Sequence, residues 1–247
     1  MWHGILKICI INTQKIGRMT IDLMDYVIEF HKDAERQGPG SDEATRKALQ
    51  YIPELSENAR ILDIGCGTGA QTMVLAKNTK AQIIAVDMLQ EFLYKLQEKI
   101  DRKNLNNRIV TKKSLMDNLD FQEKSFDVIW SEGAIYNIGF EKGLLEWIRL
   151  LKDGGYVVVS EISWFTDKRP KEIEEYWIDA YSEIDTIDTK LSIIEKCGYD
   201  PILHFVLQES CWMDHYYTPM LLRSDSFLEK YNYEEGAKEF IKMGLDE

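Results

Sequence analysis

The segment Ile61-Leu62-Asp63-Ile64-Gly65-Cys66-Gly67-Thr68-Gly69-Ala70 governs the reading of everything around it. An apolar run ends on a carboxylate and passes into three glycines spaced two apart, with helix-forming residues from Gln71 to Lys77 directly behind. Glycine admits positive φ and leaves no Cβ in the path of a ligand lying against the main chain. Strand, tight turn and helix in that order put a ligand at the carboxyl end of the strand, near the amino end of the helix.

The spacing Gly65-x-Gly67-x-x-Ala70 also satisfies a relaxed dinucleotide fingerprint. Asp63 separates the two readings. A carboxylate beside the loop repels a pyrophosphate and favours a ligand with a cationic amine and no phosphate. S-adenosylmethionine has that make-up: an α-ammonium, a sulfonium and a ribosyl-adenine. A second apolar run, Ile83 to Val86, ends on Asp87, at the tip of the next parallel strand and placed to accept from both ribose hydroxyls. Either aspartate alone reads as readily as a turn or capping residue; with the glycines, the pair specifies a nucleoside site.

On Asp63-x-Gly65-x-Gly67-x-Gly69 followed by Asp87, the chain resembles the class I S-adenosylmethionine-dependent methyltransferases. Phe126-Asp127-Val128-Ile129-Trp130 with the bend Ser131-Glu132-Gly133 resembles that family's fourth strand. Leu151-Lys152-Asp153-Gly154-Gly155 before Tyr156-Val157-Val158-Val159 resembles its fifth strand and the preceding turn. Arg36-Gln37-Gly38-Pro39-Gly40-Ser41 is similar to the segment before the core in a bacterial small-molecule subgroup, loosely akin to ubiquinone and menaquinone methyltransferases. The core resemblance covers roughly residues 40–165 and is specific as to cofactor.

The implied fold is α/β: a doubly wound, mostly parallel Rossmann-like sheet with helices on both faces and helical caps at both ends. Alternating elements support it: strands at 60–64, 82–87, 108–112, 126–130 and 156–161, with helices over 69–78, 90–103 and 143–151 between them. Helices are expected at 21–35 and from Ser41 as N-cap to 55, then at 171–181 and 189–197, with a sixth strand at 201–207 and helical sequence from 220 onward. No β-branched run after residue 207 supplies the family's seventh, antiparallel strand, which leaves an edge that a partner, such as a second copy in a homodimer, could cover.

With 247 residues, 45% of them hydrophobic, the chain suits one methyltransferase domain over 20–247, preceded by a non-essential extension at 1–19. A formal charge of −12 argues against nucleic-acid and anionic-membrane partners and for a small-molecule substrate. Cys9, Cys66, Cys197 and Cys211 form no CxxC pair, which points to a reducing cytoplasm and no structural metal.

The resemblance implies that the cofactor is held by Asp63, Gly65, Cys66, Gly67, Gly69, Asp87 and Met88, by Ser131 and Glu132, and by Gly38, Gly40 and Ser41 as a lid. Relatives carry an acid or serine for the adenine amine where this chain has Leu115; either Ser114 substitutes or the main chain near Met116 does the recognition. Methyl transfer is an in-line displacement that depends on alignment and water exclusion, so no triad is required, and S-adenosylhomocysteine is the product. His31, His215 and Tyr136 are the candidate bases, although lone residues of these types are more often structural. Tyr26, Phe30, Glu161, Trp164, Trp212 and Tyr217 are the candidate acceptor contacts; aromatic residues in this pattern also serve simply as packing. The competing readings are an NAD-linked oxidoreductase, a non-catalytic nucleoside binder, and a methyltransferase of protein or RNA.

Overall fold

The computed structural model describes residues 19–245, so the extension assigned to the amino end lies, except for Met19, outside the described residues. The elements in chain order are α1 (Met19–His31), α2 (Asp42–Leu49), β1 (Arg60–Ile64), α3 (Ala70–Asn78), β2 (Gln82–Asp87), α4 (Gln90–Arg102), β3 (Ile109–Lys113), β4 (Phe126–Ser131) and α5 (Phe140–Trp147). They continue with β5 (Leu151–Val159), β6 (Ser163–Trp164), α6 (Lys171–Ala180), β7 (Asp185–Thr186), α7 (Ile187–Lys196), α8 (Glu209–Trp212), α9 (Thr218–Lys230) and α10 (Glu235–Leu245).

Five strands form one parallel sheet in the order β3-β2-β1-β4-β5. Because side chains alternate along a strand, β1 and β4 feed two cores at once. Ile61, Val128 and Trp130 pack with Leu75, Leu96 and Ile100 of α3 and α4, while Leu62, Ile64 and Ile129 pack with Leu144 and Trp147 of α5. Trp130 and Trp147 are fully buried, each worth about 2–3 kcal/mol in removed apolar surface. The order reverses between β1 and β4, and their carboxyl ends diverge there into the crevice that α/β sheets use for ligands.

A third cluster, Tyr136, Ile162, Trp164, Trp177, Tyr181 and Ile184, gathers around the small β6–β7 pair. A fourth joins α1 to α9 and α10 through Phe30, Phe227 and Ile241. Among the described residues no helix is long and apolar enough to cross a membrane.

Two expectations are corrected here. Residues 201–207 form no strand, with Ile202 66% and Val206 52% exposed; a strand exists only if a neighbour completes its ladder, and β5 has β4 on one side alone among the described residues. β5 begins at Leu151 rather than at Tyr156, because Lys152 to Gly155, read from sequence as a turn, are absorbed as a register shift opposite Phe126 and Val128.

Candidate functional site

The glycine turn takes the conformations that its composition demands. Gly65, Gly67 and Gly69 lie at φ +69°, +54° and +87°. A Cβ on Gly65 would fall 2.4 Å from Ala134 Cβ, and one on Gly67 would fall 2.2 Å from Gln37 Oε1. Main-chain N–H groups of Gly65 and Cys66 donate to the carbonyl of Val86 at 2.9 and 3.0 Å, which pins the turn to the end of β2. Cys66 is buried, and burial, with Asp63 and Asp87 nearby, pushes its thiol well above the usual range, so it acts by its small size and not as a nucleophile.

Asp87 sits at the mouth of this turn. Its Oδ2 accepts from the Gly67 N–H and its Oδ1 from the Leu89 N–H, both at 2.9 Å. Burial raises its proton affinity and these backbone donors oppose the rise. Asp63 is placed differently from Asp87. It is fully buried, its two oxygens accept from Gln71 Nε2 and Thr72 Oγ1 in the first turns of α3, and burial pushes its carboxyl up to about 7. It therefore ties β1 to α3, with both oxygens turned to donors of that helix.

The segment before the core closes over the turn through Gln37 and Arg36, quoted in the sequence analysis without a role of their own, and through Thr45. Gln37 Oε1 accepts from the Thr68 N–H at 2.9 Å, while its Nε2 donates to the carbonyls of His31 and Ala34. Arg36 is buried and bridges Glu132 at 3.2 Å and Asp42 at 3.1 Å. Glu132 also accepts from Thr45 Oγ1 at 2.7 Å and Trp130 Nε1 at 2.8 Å, so both its oxygens are engaged. Ser41 caps α2, its Oγ accepting from the Ala44 N–H, and the Gly40 N–H donates to the Cys211 carbonyl. The spacing of Thr45 four after Ser41 is the one signal that could have brought it out.

Beside the turn, Met116 Cε lies 3.6 Å from the Cβ position of Gly65, and the Ser114 N–H donates to the Asp87 carbonyl. Ser114 Oγ donates to the Asn118 carbonyl, whereas Leu115 and Met88 are exposed. Ser131 Oγ is buried with no hydrogen-bond partner among the described residues. A glycine turn at positive φ, a carboxylate bonded to its main chain and a buried hydroxyl unpartnered among the described residues fit a nucleoside with a polar tail.

The candidate bases are not brought together. His31 is half-buried, its Nδ1 has no partner among the described residues, and burial, together with the Arg223 guanidinium, pushes it down to about 4. His215 is exposed on the π-helical turn Met213–Tyr217. Tyr136 is buried edge-on against Tyr181, with ring centroids 6.0 Å apart. Tyr26 and Phe30 belong to the cluster of α1, α9 and α10, and the Tyr26 hydroxyl donates to Glu234. Glu161, Trp164, Trp212 and Tyr217 instead line one groove of about 2450 Å³ that runs along β5 to residues 201–207.

The low proton affinity of His31 has a consequence for stability. The unfolded chain takes up this proton near pH 6.5 and the folded chain only near pH 4, so folding stability falls as pH drops through that window. Asp63, shifted upward, works in the opposite sense over the same range. His31→Gln should flatten the acid limb of the stability curve by up to about one proton. Urea midpoints measured across that window check it; an unchanged limb would show that His31 titrates normally in the fold.

Residues 55–209 match the family described as Methyltransferase domain. The chain is 25% identical over 222 residues to phosphoethanolamine N-methyltransferase of Plasmodium falciparum, covering 88% of this chain and 77% of that one. It is 29% identical over 127 residues to demethylmenaquinone methyltransferase of Lactiplantibacillus plantarum, covering 50% of this chain and 54% of that relative, so the match spans about half the relative's length. Its fold is similar to that of a SAM-dependent methyltransferase from Thiobacillus denitrificans in complex with S-adenosyl-L-homocysteine, with a TM-score of 0.75, 18% identity and coverage of 88% of this chain and 86% of that one.

Proposed function

The chain belongs to the methyltransferase-domain family: it is an S-adenosylmethionine-dependent methyltransferase, and we propose that it methylates a small-molecule acceptor held in the groove along β5. The observation that carries this reading is the glycine cradle with Asp87 at its mouth, inside the residues matched by the family. Gly65, Gly67 and Gly69 present main chain to the methionine part, Asp87 accepts from the ribose, and Met88 with residues 114–116 flanks the adenine. Ser131 Oγ and the segment Gly38 to Ser41 complete the enclosure beside Glu132. When bound, S-adenosylmethionine supplies an electrophilic methyl group on a sulfonium. The chain's own residues align the acceptor with that methyl and keep water out, and such alignment can supply several orders of magnitude in rate.

The relatives' names, a phosphoethanolamine and a demethylmenaquinone methyltransferase, support a metabolite as acceptor, as does the formal charge of −12. Scattered cysteines support a cytoplasmic setting. Calorimetry separates this reading from an oxidoreductase. S-adenosylhomocysteine should bind with micromolar affinity and NAD should give no heat of binding. Tight NAD binding with no response to S-adenosylhomocysteine would sink the reading.

A further inference from the structure

Glu161 lies two residues beyond β5, on the wall of the acceptor groove. It is tied to the bend after β4 through its neighbour Ser160, whose Oγ accepts from the Gly133 N–H at 2.7 Å. Its Oε1 accepts from the Lys190 ammonium and from the Tyr181 hydroxyl, both at 2.6 Å. Its Oε2 is sealed from bulk solvent and accepts nothing among the described residues. The Lys190 and Glu161 side chains are only 5% and 8% exposed. Buried carboxylate oxygens are nearly always paired, because leaving a buried polar group bare costs about 1–3 kcal/mol, and more when it is charged. Glu132, at the end of β4, has both oxygens engaged, whereas Glu161 on the groove wall keeps one that is not.

We propose that Glu161 Oε2 recognises the methyl acceptor, and that this acceptor presents to it an uncharged O–H or N–H carried on an apolar or aromatic body. The inference rests on the methyltransferase reading and adds to it a substrate class and the atom that selects it. The charge of the bound group follows from Lys190. An ammonium 2.6 Å from Glu161 Oε1 already neutralises the carboxylate, so an incoming cation would meet a buried like charge, whereas a neutral donor meets an unpaired lone pair. The body of the ligand follows from the surroundings, since Trp164, Trp177 and Trp212 pack at the same cluster and line the groove. Burial, together with the Glu183 carboxylate, raises the proton affinity of Glu161, while Lys190 and Tyr181 lower it.

The test compares four probes of one shape by ligand-observed NMR on the full chain at neutral pH. They are para-cresol and para-toluidine, which carry a neutral O–H or N–H, para-methylanisole, which carries neither, and para-methylbenzylammonium, which is charged. The two neutral donors should bind at least about 10-fold tighter than the other two. That preference should collapse in Glu161→Gln, whose amide can keep its oxygen toward Lys190 and Tyr181 and then turns an N–H group toward the ligand. Equal binding of para-cresol and para-methylanisole, binding by none of the four, or a preference that survives Glu161→Gln would each overturn the proposal. The wild-type series decides on its own if the variant does not fold. Calorimetry with S-adenosylhomocysteine, run in parallel, keeps the two readings apart: its failure beside an intact probe preference counts against the methyltransferase reading and leaves the donor site standing.

Discussion

Asp87→Ala should raise the dissociation constant for S-adenosylhomocysteine by about 100-fold, close to 3 kcal/mol, in isothermal calorimetry. Two losses add up to that figure. The carboxylate is the acceptor for the Gly67 and Leu89 N–H groups, so its removal leaves two main-chain donors without their partner and slackens the turn. It is also the group placed to accept from the ribose hydroxyls, and hydrogen bonds to a charged acceptor contribute about 1.5–3 kcal/mol. Circular dichroism should show the fold intact, because Asp87 lies at the carboxyl end of β2 and not within its apolar body. An unchanged affinity would remove the ribose from this corner.

Gly69→Val should destabilise the protein by about 3 kcal/mol. Gly69 stands at φ +87° as the N-cap of α3, and its Cβ would fall 2.3 Å from Leu96 Cδ1, a fully buried side chain of α4. Left-handed strain in a non-glycine residue costs about 1–2 kcal/mol, and forcing extra bulk into a packed core about 1–3. Gly154→Ala isolates the first part. Its φ is +77° but nothing lies within 4 Å of the new Cβ, so it should lose only about 1 kcal/mol. Urea midpoints compare the two, and equal losses would show that the contact with Leu96 relaxes without cost.

The elements β1, β2 and β4 were legible because each is a short apolar run buried along most of its length inside the sheet, whereas the edge strand β3 was legible only from its place in the alternation of strands and helices. The glycine turn was legible for a local reason as well, since a positive φ leaves few residue choices. What could not be read depends on partners far away in the chain. Arg36 and Glu132 are 96 positions apart, and nothing in the spacing of either announces the other. Lys190 looks like a solvated residue on an amphipathic helix; only the fold reveals that it is buried against Glu161 from 29 positions away. Asp63 was read as facing a ligand amine, because its place at the strand end was legible while the turn of its side chain toward Thr72 was not. Residues 201–207 have the composition of a strand, but composition cannot supply the neighbour that a ladder needs.

On the proposed reading, the side of β5 that no strand covers among the described residues sets the kind of selectivity the site would have. A cup that encloses its ligand sorts molecules by outline. A trough of about 2450 Å³, well beyond the few hundred to a thousand that pockets usually enclose, admits outlines of many sizes. Discrimination would then fall to the few fixed polar atoms along the wall, and bulky or elongated acceptors would be tolerated as long as their reactive end reaches them. Breadth of acceptor and strictness of functional group would, in this architecture, be two results of the same open side.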